Sequence, residues 1–149
     1  MKTACLTLLA LLGACDPADL PAGWEDAETL DDFSWEESDS GGGGCDDTAC
    51  EATMSARAAA PGLRVTGEDL PFVGAEPVEG FYRRNGGQVD VLVQPVDMNP
   101  DWDSCIDVIR IEAGIPEDPP ATVTLYQRSH HGQGEPNDPV LVGSVGVAR

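Results

Sequence analysis

Short apolar runs, separated by Gly, Pro, Asn and Asp, fill the chain from residue 61 to residue 149. The runs are rich in β-branched residues, and none has the 3.6-residue period of an amphipathic helix. The pattern therefore predicts six strands and an all-β fold, a small antiparallel β-sandwich, with a small, partly open barrel as the alternative. The six runs are GLRVTG, VEGFYRR, QVDVLVQPV, CIDVIRIEAG, ATVTLYQR and PVLVGSVGVAR.

The clearest local signal is the hairpin sequence RRNGGQVDVLV. Asn85-Gly86 favours the positive φ angles that a type I′ turn requires. After it, Val89, Val91 and Val93 alternate with other residues and are predicted to share one face of a strand. In the run ATVTLYQR, Val123 and Leu125 are predicted to point opposite to the threonines and the tyrosine. The last run is expected to form an exposed sheet edge.

The general architecture of this part is similar to that of immunoglobulin-like and fibronectin-III-like modules on bacterial surfaces. The Cys–Trp–Cys spacing of true immunoglobulin domains is missing, so the likeness implies an architecture and no family membership.

The first fifteen residues have a different pattern. Lys2 precedes an apolar stretch over residues 4–12, and Gly13-Ala14-Cys15 follows. This order is typical of a secretory signal peptide. The apolar stretch covers about half of the roughly 20 residues that a membrane-spanning helix needs.

The sequence Leu12-Gly13-Ala14-Cys15 resembles the lipobox of bacterial lipoproteins. The resemblance implies a signal peptide over residues 1–14, cleavage between Ala14 and Cys15, and a diacylglyceryl group on the sulfur of Cys15. The mature protein would then be held in the cell envelope by its lipid, either at the outer membrane or cell surface or at the periplasmic face of the inner membrane. An ordinary cleaved signal peptide is the alternative.

Residues 15–60 are predicted to form an acidic, Gly-rich and disordered tether. From residue 16 to residue 60 there are thirteen Asp and Glu but one basic residue, Arg57. A flexible coil of about 45 residues spans roughly 35–40 Å, which suggests a spacer that holds the domain at 61–149 away from the membrane. Trp24, Phe33 and Trp35 interrupt the acids; we interpret them as part of a disordered or loosely packed segment, with a partner-recognition segment as the alternative.

The whole chain carries 27 acidic and 8 basic residues, a net charge of −19. This charge argues against an electrostatic attraction to nucleic acid.

After removal of the signal peptide, three cysteines remain besides the lipidated one. Export to an oxidising compartment favours a disulfide. Cys45 and Cys50 in CDDTAC are the predicted pair, and a bridge from one of them to Cys105 is the alternative.

Two further groups of residues are candidate metal ligands. Asp97, Asn99, Asp101 and Asp103 have the spacing that opens a calcium loop, but Trp102 stands where that loop needs Gly. His130 and His131 are adjacent and would point apart on an extended segment, which makes a poor chelate even with Glu135 and Asp138 within reach. A solvated loop is the favoured interpretation of both groups, and no cofactor is predicted.

The chain contains no Gly-rich phosphate loop after a strand and no G-x-S-x-G motif. We therefore expect a non-enzymatic, lipid-anchored envelope protein whose β-sandwich has a structural or adhesive role and binds a protein or glycan partner. A secreted, calcium-stabilised binding module without the lipid is the alternative.

Overall fold

The computed structural model describes residues 20–37, 52–73, 77–96, 106–116, 118–128 and 138–148. These residues form nine strands and no helix, in two sheets that pack face to face, so the predicted all-β sandwich is confirmed. The strands are β1 (Glu28–Thr29), β2 (Asp32–Glu37), β3 (Thr53–Ala58), β4 (Leu63–Val73), β5 (Val78–Asn85), β6 (Gln88–Pro95), β7 (Ile106–Ile115), β8 (Thr122–Gln127) and β9 (Val140–Gly146).

The strands divide into a five-stranded sheet of order β1-β5-β6-β8-β9 and a four-stranded sheet of order β2-β7-β4-β3. Each neighbouring pair is antiparallel except β6 and β8, which are parallel. That exception follows from the path of the chain, because β7 lies between β6 and β8 in sequence but belongs to the other sheet. The register of β4 against β7 shifts between Gly67 and Leu70, where Asp69 adopts a φ of 56°.

The main core lies between the two sheets. Val89, Val91 and Val93 of β6 are fully buried there, as are Val123 and Leu125 of β8, so the predicted inward faces of both strands are confirmed. The four-stranded sheet contributes a matching row of buried aliphatic side chains from β4 and β7: Leu63, Val65, Leu70, Ile109, Ile111 and Ile115. Full burial of each such side chain stabilises the fold by about 1.5–3 kcal/mol.

The predicted hairpin is present between β5 and β6, but its centre is shifted by one residue. Asn85 pairs with Gln88, so Gly86 and Gly87 form the two-residue turn. Of these two, Gly86 alone has a positive φ, of 63°. A positive φ at the first central position only is the pattern of a type II′ turn, whereas type I′ was predicted.

The prediction of a disordered tether over residues 15–60 is wrong for the described residues 20–37 and 52–58, because β1, β2 and β3 pair with strands of the sandwich. In β2, Phe33 and Trp35 pack against the core while Ser34 and Glu36 lie on the outer face. The two-residue period of an edge strand was therefore present in the sequence, and the high acid content obscured it. The sandwich thus begins well before residue 61.

The last strand lies at the edge of the five-stranded sheet, as predicted. Beyond it, the chain turns towards β3 at the edge of the other sheet. The amide of Ala58 donates a 2.8 Å hydrogen bond to the carbonyl of Ala148, and the amide of Ala148 donates a 3.0 Å bond to the carbonyl of Ala56. These bonds join the two sheets at one corner of the sandwich.

Candidate functional site

Nearly all of the site residues predicted from sequence lie outside the described residues. They are the lipidation and cleavage residues Ala14 and Cys15, the disulfide candidates Cys45, Cys50 and Cys105, the calcium candidates Asp97, Asn99, Asp101 and Asp103, and His130, His131 and Glu135. Asp138 is described and exposed. These assignments therefore stay predictions, and within the described ranges no group of three His, Cys, Asp or Glu residues is arranged to hold a metal ion.

A groove of about 370 Å³ opens at one end of the sandwich. Its walls come from the segment that passes from β1 to β2, from the connection between β3 and β4, from Tyr82 of β5, and from the end of β7. This volume is within the range of small-molecule and side-chain binding sites in proteins. We call it the end groove.

The end groove forms where the chain leaves one sheet and enters the other. Leu30 lies in the segment that connects β1 to β2. Its amide donates a 2.9 Å hydrogen bond to the carbonyl of Gly80, and its side chain is 5% exposed. A Cβ atom built on Gly80 would lie 2.7 Å from Phe33 Cδ2 and 2.9 Å from Leu30 Cδ1. Glycine at this position therefore allows the crossing segment to approach β5 closely.

A second glycine admits a charged side chain into the groove wall. A Cβ atom built on Gly114 would meet the carboxylate of Asp32, with its Cγ at 3.0 Å. Because Gly114 has no side chain, Asp32 lies across β7 and its Oδ2 reaches Arg64 Nη2 at 3.2 Å. Both partners are partly exposed, so this ion pair contributes at most about 1 kcal/mol of stability and mainly fixes the two groups in position.

The polar groups of the end groove are suited to hydrogen bonding and ion pairing. Three carboxylates, those of Glu28, Asp31 and Asp32, line it together with the guanidinium of Arg64. The hydroxyl of Tyr82, whose ring belongs to the core, donates a 3.1 Å hydrogen bond to Glu28 Oε2. The excess of carboxylates favours a ligand that presents a positive charge.

The outer face of the four-stranded sheet carries a second polar cluster, centred on Arg110. Its guanidinium lies 2.8 Å from Glu112, 3.1 Å from Glu68 and 3.5 Å from Glu36. A shallow depression of about 270 Å³ lies beside it and is lined in part by Trp35. These surface ion pairs add little stability individually, but they give this sheet a polar outer face.

The outer face of the five-stranded sheet is covered by residues 20–27, which we call the strap. Trp24 of the strap is 4% exposed and forms a small second core with Phe81 and Leu92, with Leu20 and Ala27 packed beside it. The rings of Trp24 and Tyr126 meet edge to face, with centroids 5.6 Å apart. Two of the three inner strands of this sheet, β5 and β6, are therefore buried on both sides.

A buried carboxylate holds the strap in place through an arginine. Asp90 of β6 is fully buried and accepts hydrogen bonds from Arg83 Nη2 at 3.2 Å, from Asn85 Nδ2 at 3.2 Å and from Gln88 Nε2 at 2.8 Å. The guanidinium of Arg83 lies 4.1 Å from the centre of the Trp24 ring and also donates to the carbonyl of Gly23. The ion pair between Asp90 and Arg83 orients the guanidinium towards the strap.

The strap also contains one carboxylate with an altered pKa. Both oxygens of Glu25 lie 3.0 Å from the amide nitrogen of Gly23, which donates to them. This hydrogen bonding lowers the pKa of Glu25, with a smaller contribution from the charge of Arg83.

Sequence reasoning missed the end groove because Glu28, Asp31 and Asp32 lie in the predicted tether. The signal that could have identified them was the alternation of Phe33 and Trp35 immediately afterwards.

A comparison of the chain with protein-family models, with curated proteins and with solved structures found no match. The two packed sheets define the class of the described residues, an all-β sandwich-like domain. In the ranges that the structure describes, no helix is long and apolar enough to cross a membrane.

Proposed function

We propose that this chain is a lipid-anchored protein of the bacterial cell envelope and that its β-sandwich is a non-enzymatic binding module. The observation that carries the anchor is the sequence Leu12-Gly13-Ala14-Cys15 at the end of an apolar stretch. Two or three acyl chains on one cysteine bury enough methylene groups to make the attachment stable, whereas one chain binds only reversibly.

The end groove supports the binding role. It combines a concave surface with three carboxylates and a guanidinium. This combination suits a protein or glycan partner that presents a basic group. The high net negative charge of the chain would further favour a basic partner.

The anchor is tested by replacing Cys15 and analysing the mature amino terminus by mass spectrometry. In the wild-type protein we expect Cys15 to be the first residue and to carry a lipid mass of several hundred daltons. Cys15→Ser should abolish both the lipid and the partitioning into detergent. Cys5→Ser is the matched control, since Cys5 is predicted to leave with the signal peptide. An unmodified amino terminus in the wild-type protein would refute the anchor.

The binding role is tested with envelope extracts and the chain from residue 16 onwards. We expect the partner to be captured by the wild-type chain and lost with the double variant Asp31→Lys, Asp32→Lys, which reverses the charge of the groove. Glu37→Lys is the control, since it changes an exposed acid outside the groove. Equal capture by all three proteins would exclude the end groove as the binding site.

The alternative of a calcium-stabilised module depends on residues 97–103. We expect EDTA to leave the melting temperature unchanged, because Trp102 and Val108 occupy positions where an EF-hand loop needs Gly and Glu. A fall in the melting temperature that added calcium reverses would favour the alternative.

A further inference from the structure

We propose that the sandwich lies directly on the lipid bilayer, with the outer face of the five-stranded sheet and its strap turned towards the headgroups. This inference rests on the proposed lipid on Cys15. It replaces the long spacer that composition suggested with a short link and assigns a membrane-facing side to the domain.

The length of the link follows from the packing of Leu20 on the sheet. Leu20 packs against the second core, and only four residues, 16–19, lie between it and Cys15. A fully extended chain spans at most about 3.6 Å per residue, so the five Cα–Cα steps from Cys15 to Leu20 reach no further than about 18 Å. A compact chain of this length has a radius of gyration of about 15 Å and is therefore at least about 30 Å wide, so the link is shorter than the width of the domain.

The place where the strap is held decides which side faces the membrane. Leu20 lies beside Trp24, Phe81 and Leu92, on the outer face of the five-stranded sheet. The four-stranded sheet lies behind it, about 10 Å further away. The anchor therefore leaves from the five-stranded side, and the Arg110 cluster on the other sheet points away from the bilayer.

The strap does not supply additional length, because its residues are fixed on the sheet. The amide of Trp24 donates to the carbonyl of Pro21, and the amide of Ala27 donates to the carbonyl of Trp24, both at 3.0 Å. Releasing the strap would expose Trp24, Phe81 and Leu92, which are at most 4% exposed, and would remove Arg83 from the Trp24 ring. The short link is thus maintained by packing as well as by covalent length.

The acids of the strap oppose its close approach to the bilayer, but they do not change which sheet faces the headgroups. The strap presents the exposed acids Glu25 and Asp26, which anionic headgroups repel. At physiological ionic strength such repulsion decays over about 8 Å, and the short link limits any retreat to about 18 Å. Vesicles of phosphatidylcholine, which carry no net charge, are therefore the appropriate probe.

Energy transfer on these vesicles measures the orientation. In lipidated protein with Cys45, Cys50 and Cys105 replaced by Ser, a single cysteine is introduced as Asp26→Cys on the strap or as Ser55→Cys on the outer face of the four-stranded sheet. Both positions are exposed. With a donor dye on the cysteine and an acceptor on the headgroups, we expect the Asp26 label to transfer energy more efficiently than the Ser55 label. Equal or reversed efficiencies would overturn the proposal.

A second measurement keeps the native cysteines, in case the serine background folds poorly. Neutron reflectometry on a supported phosphatidylcholine bilayer should show protein density starting at the headgroups. Insertion of 20 Gly and Ser residues between Asp16 and Pro17 should open a solvent gap, since such a coil spans roughly 25 Å. Any resolved layer of solvent between the headgroups and the wild-type protein would overturn the inference.

The same samples separate the two proposals. If mass spectrometry finds no lipid on Cys15, the proposed anchor fails and the orientation fails with it. If the lipid is present but the wild-type protein stands clear of the headgroups, only the orientation is wrong.

Discussion

Replacement of Trp24 by alanine tests directly whether the strap is part of the folded domain. Trp24 lies in an acidic stretch whose composition predicts disorder, yet it is 4% exposed and contacts Phe81, Leu92 and Tyr126. If residues 20–27 were a free tether, Trp24→Ala would leave the free energy of unfolding unchanged. The packing described above predicts a large loss instead.

The size of that loss follows from the buried surface. A tryptophan side chain buries about 150–250 Å², which at about 25 cal/mol per Å² corresponds to roughly 4–6 kcal/mol. This value is an upper bound, because the unfolded chain already buries part of the surface. Trp-to-Ala changes in cores cost about 3–5 kcal/mol, and the outer position of the strap favours the lower half of that range. We therefore expect a loss of about 3–4 kcal/mol.

Urea denaturation of the chain from residue 16 onwards, monitored by circular dichroism and tryptophan fluorescence, measures this loss. In thermal unfolding, the melting temperature should fall by roughly 10–20 °C. Trp24→Phe should lose less than half as much free energy of unfolding as Trp24→Ala, since it keeps a ring against Tyr126. Asp26→Ala, at an exposed site on the same strap, is the control and should change stability by less than about 0.5 kcal/mol. A loss below about 1 kcal/mol for Trp24→Ala would refute the docking of the strap.

Two further substitutions and one titration test other parts of the structure. Asp90→Asn should lower the free energy of unfolding in urea by about 2–4 kcal/mol, because it removes the buried charge that holds Arg83; an unchanged midpoint would contradict the network. Gly80→Ala should cost about 1–3 kcal/mol through overpacking, whereas Gly87→Ala, where a Cβ meets no atom within 4 Å, should cost less; the reverse order would contradict the packing of the crossing segment. The pKa of Glu25, measured by NMR, should lie below the usual value for glutamate. The contribution of Glu25 to stability should therefore be complete above the unfolded-state pKa and disappear as the pH falls through the folded-state pKa. An unshifted titration would contradict the hydrogen bonds from the amide of Gly23.

The fold class and the inward faces of the central strands could be predicted from sequence because their signals are local. Val89, Val91 and Val93 alternate after a turn-forming Gly pair, and that pattern leaves little choice of face. The exact turn could not be assigned in this way. Asn85-Gly86 and Gly86-Gly87 are both acceptable turn pairs, and the choice between them depends on the register of the whole hairpin.

The first part of the sandwich was missed for a different reason. Trp24 and Leu30 are isolated apolar residues among acids, and each is buried by residues at least 50 positions away, such as Phe81 and Gly80. Composition averages over a segment and cannot detect two or three anchoring contacts of this kind. The same holds for the end groove, whose carboxylates come together with Arg64 only after the chain has crossed between the sheets.

The path from strap to core also determines how the molecule would carry mechanical load. A force applied through the proposed lipid anchor would enter the sandwich at Leu20 and reach the two-residue strand β1 only after the Trp24 side chain had been drawn off Arg83. The Trp24–Arg83 contact would thus bear this force before β1 does. Traction would have to break this contact before it could peel β1 from β5.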